Sequence, residues 1–312
     1  MIITVTFNPA IDKTAEVDTL QVGELNRLKN VMQDAGGKGV NVSKTIHALG
    51  GTSLCSGFLA GTAGEFIHKC LENLNITSDF VWVDGMTRTN LKVLDKDMEL
   101  TELNEAGPII GKAEVEKLMN KIVSLCDKDT IVVLSGNVSA GVDTGIYRDM
   151  VTAIKAAGGK VLLDADGELF AKGIQAKPAV IKPNKYELAM YFNVPKESDN
   201  EEIIRLAKTL LNEDTQLVVV SMGKEGSIFI SKEEVYIAEA LKIKAHSSVG
   251  AGDAMVAAIA YALEQNYDLP KLIRLAVACS AGAVMTKGTQ PAAKEVVEEL
   301  MTQVSVRKLE DN

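Results

Sequence analysis

Between residues 112 and 220 uninterrupted apolar runs take turns with helical patterns, and few folds accommodate that. The runs are Thr130–Leu134, Lys160–Leu163, Ala179–Ile181 and Gln216–Val220. Segments with helical period, Lys112–Leu125, Thr144–Ala157, Lys185–Phe192 and Glu201–Leu211, precede or separate them. A strand that is apolar on both sides has no face to offer water. Such strands lie in a parallel sheet with helices on both faces, so an α/β architecture is expected. The runs end in polar or glycine residues: Ser135-Gly136-Asn137, Asp164-Ala165-Asp166, Lys182-Pro183-Asn184 and Ser221-Met222-Gly223. That row falls at the carboxyl edge of the sheet, where open α/β sheets bind ligands.

The flanking segments extend this plan. Ile2–Phe7 reads as a further buried strand ending at the turn Asn8-Pro9-Ala10. Asp12 follows just past its carboxyl end, as a ligand group or as turn chemistry shared with Asn8. Ala15–Met32 is β-like in short pieces broken at Gly23, and Thr89–Leu94 with Glu99–Leu103 forms a hairpin around Lys96-Asp97. Together these predict a small sheet away from the main one. Thr52–Gly57 reads as a strand, and Gly64–Leu74, Lys271–Met285 and Glu295–Val304 as helices.

Bulk properties narrow the function. The 312 residues, 46% hydrophobic, suffice for one large domain with a small appendage. A net charge of −9 and 4% aromatics argue against nucleic-acid or anionic-membrane partners. The four cysteines form no close pair, which predicts free thiols rather than zinc or disulfides. A strand-like start without a basic leader, and no bilayer-length apolar run, predict a soluble cytoplasmic protein.

Two glycine stretches carry the chemistry. Val249-Gly250-Ala251-Gly252-Asp253 follows a strand-like Leu241–Lys244 and Ser247-Ser248, and opens an apolar helix. Its backbone can approach an anion closely, and the helix start offers free N–H groups to it. A carboxylate there repels phosphate, but suits a base that takes a proton from an attacking hydroxyl. The plainer alternative makes Asp253 a helix cap. Ala35-Gly36-Gly37-Lys38-Gly39-Val40-Asn41 likewise precedes a helix. Lys38 supplies a point charge for phosphate, and Asn41 can donate to and accept from a sugar hydroxyl. A generic loop–helix junction is the alternative. Arg88, just ahead of the hairpin, suits a phosphate, or else a plain surface position. Asn184 and Glu187 lie one helical turn apart and can hold hydrated Mg²⁺, or instead cap their helix. The alanine-rich Ala276–Ala281 suits a nucleobase or close helix packing.

The two glycine motifs, in this order and with Lys182-Pro183-Asn184-Lys185-Tyr186-Glu187 between them, resemble the ribokinase-like (PfkB) carbohydrate kinases over nearly the whole chain. The resemblance implies a three-layer α/β/α domain over residues 1–312, with a β lid from approximately 13–33 and 88–106 that often pairs two subunits into a homodimer. Within the family, Thr6–Asp12, Thr87–Val93 and Thr101–Pro108 are similar to the phosphosugar kinases. Fructose 1-phosphate is the first acceptor implied, with tagatose 6-phosphate or fructose 6-phosphate as alternatives and ATP with Mg²⁺ as co-substrate. A sensor without catalysis is the rival of another class.

By resemblance Asp12, Gly36, Gly37, Lys38, Asn41, Arg88 and Asn90 hold the phosphosugar, with Arg27 and Asn137 assisting. Gly250, Ala251 and Gly252 form the anion hole and Asp253 is the base. Lys182, Asn184, Ser221, Gly223, Gly226, Val277 and Ala281 border ATP, and Asn184 with Glu187 serves Mg²⁺. Two departures stand out: Ser135-Gly136-Asn137-Val138-Ser139 replaces the usual Ser-Gly-Ser-Leu-Pro, and Asp166 stands where relatives often carry Ser. Its extra charge is tolerable near phosphate only if it points away or meets a cation.

Overall fold

The computed structural model describes residues 1–97, 99–244, 246 and 249–310. Ser247 and Ser248 of the second glycine stretch lie outside the described residues. The chain opens with β1 (Ile2–Thr6), then β2 (Ala10–Glu16) and β3 (Lys29–Gly36). Helix α1 (Lys38–Ala48), β4 (Ser53–Leu59), α2 (Gly61–Asn73) and β5 (Val81–Trp82) follow. Next come β6 (Arg88–Leu94), β7 (Leu100–Asn104), α3 (Lys112–Ser124), β8 (Ile131–Ser135), α4 (Ile146–Ala156) and β9 (Lys160–Asp164). After them lie α5 (Gly167–Gly173), β10 (Val180–Ile181), α6 (Lys185–Phe192), α7 (Asn200–Lys208) and β11 (Leu217–Ser221). The chain ends with β12 (Ser227–Ile230), β13 (Val235–Ala238), α8 (Ala251–Glu264), α9 (Leu269–Met285), α10 (Lys294–Gln303) and β14 (Val306–Leu309).

Among the described residues these strands form two sheets. The larger has the order β14-β13-β12-β11-β10-β9-β8-β1-β4-β5, and it is parallel from β11 to β5. The smaller has the order β3-β2-β6-β7. The apolar runs of the large sheet alternate between two cores. Ile2, Val133, Leu162 and Val219 pack with α1, α8 and α9. Ile3, Val132, Leu134, Val161 and Leu163 pack on the other face with α3, α4 and α5. Neither set reaches water, which is why the runs show no polar alternation. Burial of each such side chain stabilises the fold by roughly 1.5–3 kcal/mol.

The structure corrects several expectations. Leu241–Lys244 is not a strand. Leu241 and Ile243 alternate as in one, but they pack against the α8–α9 core and line a cavity instead of pairing. Asp12 follows the end of β1 but sits inside β2, because the chain bends at Phe7-Asn8 and pairs again from Ala10. The small sheet therefore runs from Ala10 to Gly36 and Arg88 to Asn104. The antiparallel strands β12, β13 and β14, and the short α5, were not anticipated. No helix among the described residues is long and apolar enough to cross a membrane. The four cysteines are free.

Close approach of β1 and β4 fixes one glycine. At Gly57 φ is +141° and a Cβ would run into the carbonyl oxygen of Thr6, its partner in the β1–β4 register. Gly57→Ala should cost about 3 kcal/mol from backbone strain and overpacking. In a chain of this size that lowers the calorimetric midpoint by about 5 °C. An unchanged midpoint would show that the two strands do not meet this closely.

Candidate active site

Helix α8 begins with a reversal that only glycine makes cheaply. Gly250 has φ +85° and space where a side chain would be, with nothing within 4 Å of a Cβ built there. No side chain caps the helix. The first N–H groups of Ala251 and Gly252, which have no partner within the helix, open onto this space. They form a cradle for an anion, reinforced by the helix dipole.

Asp253 closes the first turn and is 8% exposed. Its Oδ2 accepts from Asn41 Nδ2 at 2.8 Å, so the carboxylate reaches across the cleft rather than capping its own helix. Burial pushes its pKa up to about 6, against the opposing pull of Lys38. A carboxyl group there is a base that is free near neutral pH and still willing to take a proton.

A second buried carboxylate behaves in the opposite way. Asp164 ends β9 and meets Lys38 Nζ at 3.1 Å and Lys182 Nζ at 3.0 Å. Burial alone would raise it, but Lys182 and Lys38 together hold it down at about 2. Lys38 is correspondingly raised, chiefly by Asp164. Gly136 packs on the Lys38 stem, with 3.4 Å from a built Cβ to the lysine Cβ and Cγ. Lys182 Nζ lies 3.8 Å from a Cβ built on Gly252, beside the mouth of α8.

The front glycine run is packed hard against β1 and β2. A Cβ at Gly36 would overlap the Asp12 carboxylate, and one at Gly37, whose φ is +105°, would lie 2.9 Å from Pro9 Cα. Asp12 meets Lys92 Nζ at 3.4 Å and accepts from Asn90 Nδ2 at 3.4 Å. Arg88 donates from Nε to the Asn8 carbonyl at 3.3 Å, and burial lowers its pKa. The buried side-chain oxygens of Asn8, Asn41 and Asn90 have no hydrogen-bond partner among the described residues. Such groups cost free energy unless a ligand hydroxyl or water satisfies them.

Beyond the α8 mouth lies a cavity of about 830 Å³. Ser221, Gly223, Gly226, Val277 and Ala281 line it, and Ala251 and Gly252 stand at one end. Its volume and largely apolar walls suit a nucleotide whose phosphates point to the glycines. Asn184 and Glu187 form a reciprocal cap at the start of α6: Glu187 N donates to Asn184 Oδ1 at 2.7 Å and Asn184 N to Glu187 Oε2 at 2.8 Å. Burial raises Glu187, so a cation beside its carboxylate would be favourable. Among the described residues no cluster of three or more acidic, His or Cys side chains could hold a metal by itself.

Most candidates from the sequence therefore surround one cleft, while Arg27 and Asn137 are exposed. Arg27 is exposed in the segment between β2 and β3. Asn137 is exposed on the rim, and its Oδ1 accepts from Val138 N at 2.8 Å. Asp166 is exposed too, at the start of α5. Sequence reasoning gave no role to Asp164, Lys92 or the Leu241–Ile243 wall. Asp164 could have been found as the charge ending an apolar run, and Lys92 as the same-face neighbour of Asn90 two residues on.

Known proteins match this arrangement over its whole length. The model of the pfkB family carbohydrate kinases matches residues 5–295. A 1-phosphofructokinase of Bacillus subtilis is 34% identical over 309 residues, 99% of this chain and 100% of that protein. A tagatose-6-phosphate kinase of Staphylococcus epidermidis is 30% identical over 308 residues, 98% of this chain and 99% of that one. The crystal structure of phosphofructokinase-2 from Escherichia coli in complex with substrates and products has a TM-score of 0.92 over 97% of this chain and 98% of that chain. At 24% identity it is a likeness of fold. With both glycine motifs meeting at one buried carboxylate and the family match spanning nearly every element, the chain belongs to the pfkB family of carbohydrate kinases, phosphotransferases that use ATP and a sugar hydroxyl.

Proposed function

We propose that the protein transfers the γ-phosphoryl group of ATP to the C6 hydroxyl of fructose 1-phosphate, giving fructose 1,6-bisphosphate and ADP. The observation that carries this is Asp253, buried beside an open helix start and tied to Asn41 of the other glycine motif. The acceptor oxygen attacks phosphorus in line, the bond from phosphorus to the bridging oxygen of ADP breaks, and the hydroxyl proton goes to Asp253. Gly250, Ala251 and Gly252 supply the backbone cradle for the transferred group, each donor being worth about 3 kcal/mol in such sites. Asp12, Gly36, Gly37, Asn41, Arg88 and Asn90 hold the phosphosugar. Similarity to the B. subtilis enzyme supports fructose 1-phosphate, and similarity to the staphylococcal one keeps tagatose 6-phosphate as the second reading.

The nucleotide takes the cavity bordered by Ser221, Gly223, Gly226, Val277 and Ala281, with Lys182 and Asn184 at its phosphate end. Asn184 and Glu187 would hold Mg²⁺ through water, and the ion, when bound, neutralises phosphate charge. The small sheet acts as a lid that excludes water from the acceptor. Its strand β7 and the segment between β2 and β3 leave Val22, Leu25, Leu100 and Leu103 each at least 45% exposed. That surface suits a second copy of the chain, and the cell compartment consistent with these substrates is the cytoplasm.

Four experiments test the reading. Coupled ADP release with fructose 1-phosphate, tagatose 6-phosphate, fructose 6-phosphate and unphosphorylated fructose should give the highest kcat/KM for the first. A preference for unphosphorylated sugar would sink the acceptor assignment. Because the base works ionised, kcat/KM should fall as pH drops through about 6. Asp253→Asn should cut kcat by about 10²–10⁴ and abolish that limb, while ATP binding by calorimetry is kept; wild-type turnover in the variant removes Asp253 from the mechanism. Finally, Val22→Asp with Leu103→Asp should convert a dimer to a monomer in sedimentation experiments, and a wild-type monomer refutes pairing through the lid.

A further inference from the structure

Lys38 and Lys182 lie far apart in the sequence, yet they share one carboxylate that the reaction above does not use. Asp164 Oδ2 faces Lys38 Nζ at 3.1 Å and Oδ1 faces Lys182 Nζ at 3.0 Å. The side chains of Asp164 and Lys182 are 3% and 5% exposed, whereas that of Lys38 keeps 39%. One point thus pins the start of α1, the end of β9 and the residue after β10. Each ammonium has three donors, and the ion pair leaves the others for a ligand. Lys182 already stands beside Gly252 of the α8 cradle. Asn41, one turn along α1 from Lys38, touches Asp253. Both lysines therefore border the place where the phosphoryl group must pass.

The cleft's other charges form a separate group. Lys92 is paired with Asp12. Lys44 donates to the carbonyls of Ala35 and Thr289. Arg88 has no carboxylate within ion-pair distance among the described residues. Electrostatic influence divides along the same line. Lys38 responds to Asp164, burial, Asp253 and Glu187, while Arg88 responds to burial and Asp12. An unpaired guanidinium is the natural anchor for a permanent phosphate on the acceptor. Two ammoniums already half neutralised by a buried carboxylate are better suited to charge that is only in transit.

We propose that Asp164 is a positioning residue that holds Lys38 and Lys182 as a two-ammonium cradle for the phosphoryl group in transfer, leaving the acceptor's own phosphate to Arg88. This deepens the kinase reading and rests on it. It also moves Lys38 from the acceptor, where resemblance put it, to the transferred group. In-line transfer spreads charge over three equatorial oxygens. Cations fixed before the reaction stabilise that charge without reorganising. Without Asp164 nothing offsets the repulsion between the two ammoniums, and buried Lys182 loses its carboxylate partner.

The test compares kcat and KM in the full-length protein at saturating ATP, with the best acceptor of the panel. Lys38→Met should lower kcat by about 10²-fold while KM for the acceptor stays within about threefold. Arg88→Met should lose mainly through KM, by about tenfold or more. Asp164→Asn should lower kcat as Lys38→Met does, and the double variant should lose less than the product of the two single losses. A raised acceptor KM with unchanged kcat in Lys38→Met overturns the proposal, as does undiminished kcat in Asp164→Asn. Should Asp164→Asn fail to fold, the contrast between Lys38→Met and Arg88→Met decides. Turnover absent from the unaltered protein with every acceptor overturns the kinase reading itself, an outcome distinct from losses confined to the variants.

Discussion

The hydrogen bond from Asn41 to Asp253 joins residues 212 positions apart, and the cleft exists because those positions meet. Its geometry follows from sheet order. β1 lies between β4 and β8, so α1 and α8 pack on the same face of the sheet through Val42, Ile46, Met255 and Ile259. Each helix starts at the carboxyl edge, and each is preceded by glycines because backbone must pass there at contact distance. A side chain at Gly36 or Gly39 would displace Asp12 or Thr6. The fold thus fixes the two helix starts, and one amide fixes the carboxylate between them.

Two buried carboxylates in one cleft are driven in opposite directions, and the difference supports the roles proposed for them. Burial opposes the charged form of both Asp253 and Asp164. Asp164 overcomes it with two ammoniums at about 3 Å, and is left at about 2. Asp253 has, among the described residues, a neutral amide as its hydrogen-bond partner and is left at about 6. An acid that weak can accept a proton in the course of a reaction, whereas Asp164 serves only as a fixed charge. Separation of paired carboxylates by their surroundings is a recurrent way to obtain a base at neutral pH.

The parallel core was legible because strands buried on both faces leave an unambiguous trace. The glycine motifs were legible for a similar reason: close backbone approach restricts residue choice. What escaped depends on contacts between distant segments. Leu241-Lys242-Ile243-Lys244 alternates like a strand, but its apolar side chains answer to the α8–α9 core and the cavity. Asp164 was visible only as a polar strand end, since nothing local says that lysines at 38 and 182 converge on it. Asn137 reads as a substrate contact by position, yet it satisfies its neighbour's N–H on the rim. The reciprocal cap of Asn184 and Glu187 shows that a capping role and a place near phosphate are compatible.

Unsatisfied polar atoms collect where the acceptor is proposed to sit. The orphaned oxygens belong to Asn8, whose backbone carbonyl accepts from Arg88, and to Asn41 and Asn90, whose amide nitrogens donate to Asp253 and Asp12. Each buried unpaired group costs roughly 1–3 kcal/mol, so three near one cleft are a substantial local debit in a protein of ordinary stability. The small sheet carries Asp12 in β2 and Asn90 in β6, and because its ladder pairs them with each other the two keep their spacing. A sugar hydroxyl that satisfies the Asn41 oxygen is placed beside Asp253, to which the same amide donates. Acceptor selection and alignment for transfer then become one event, because the groups that recognise the sugar are the groups that orient it.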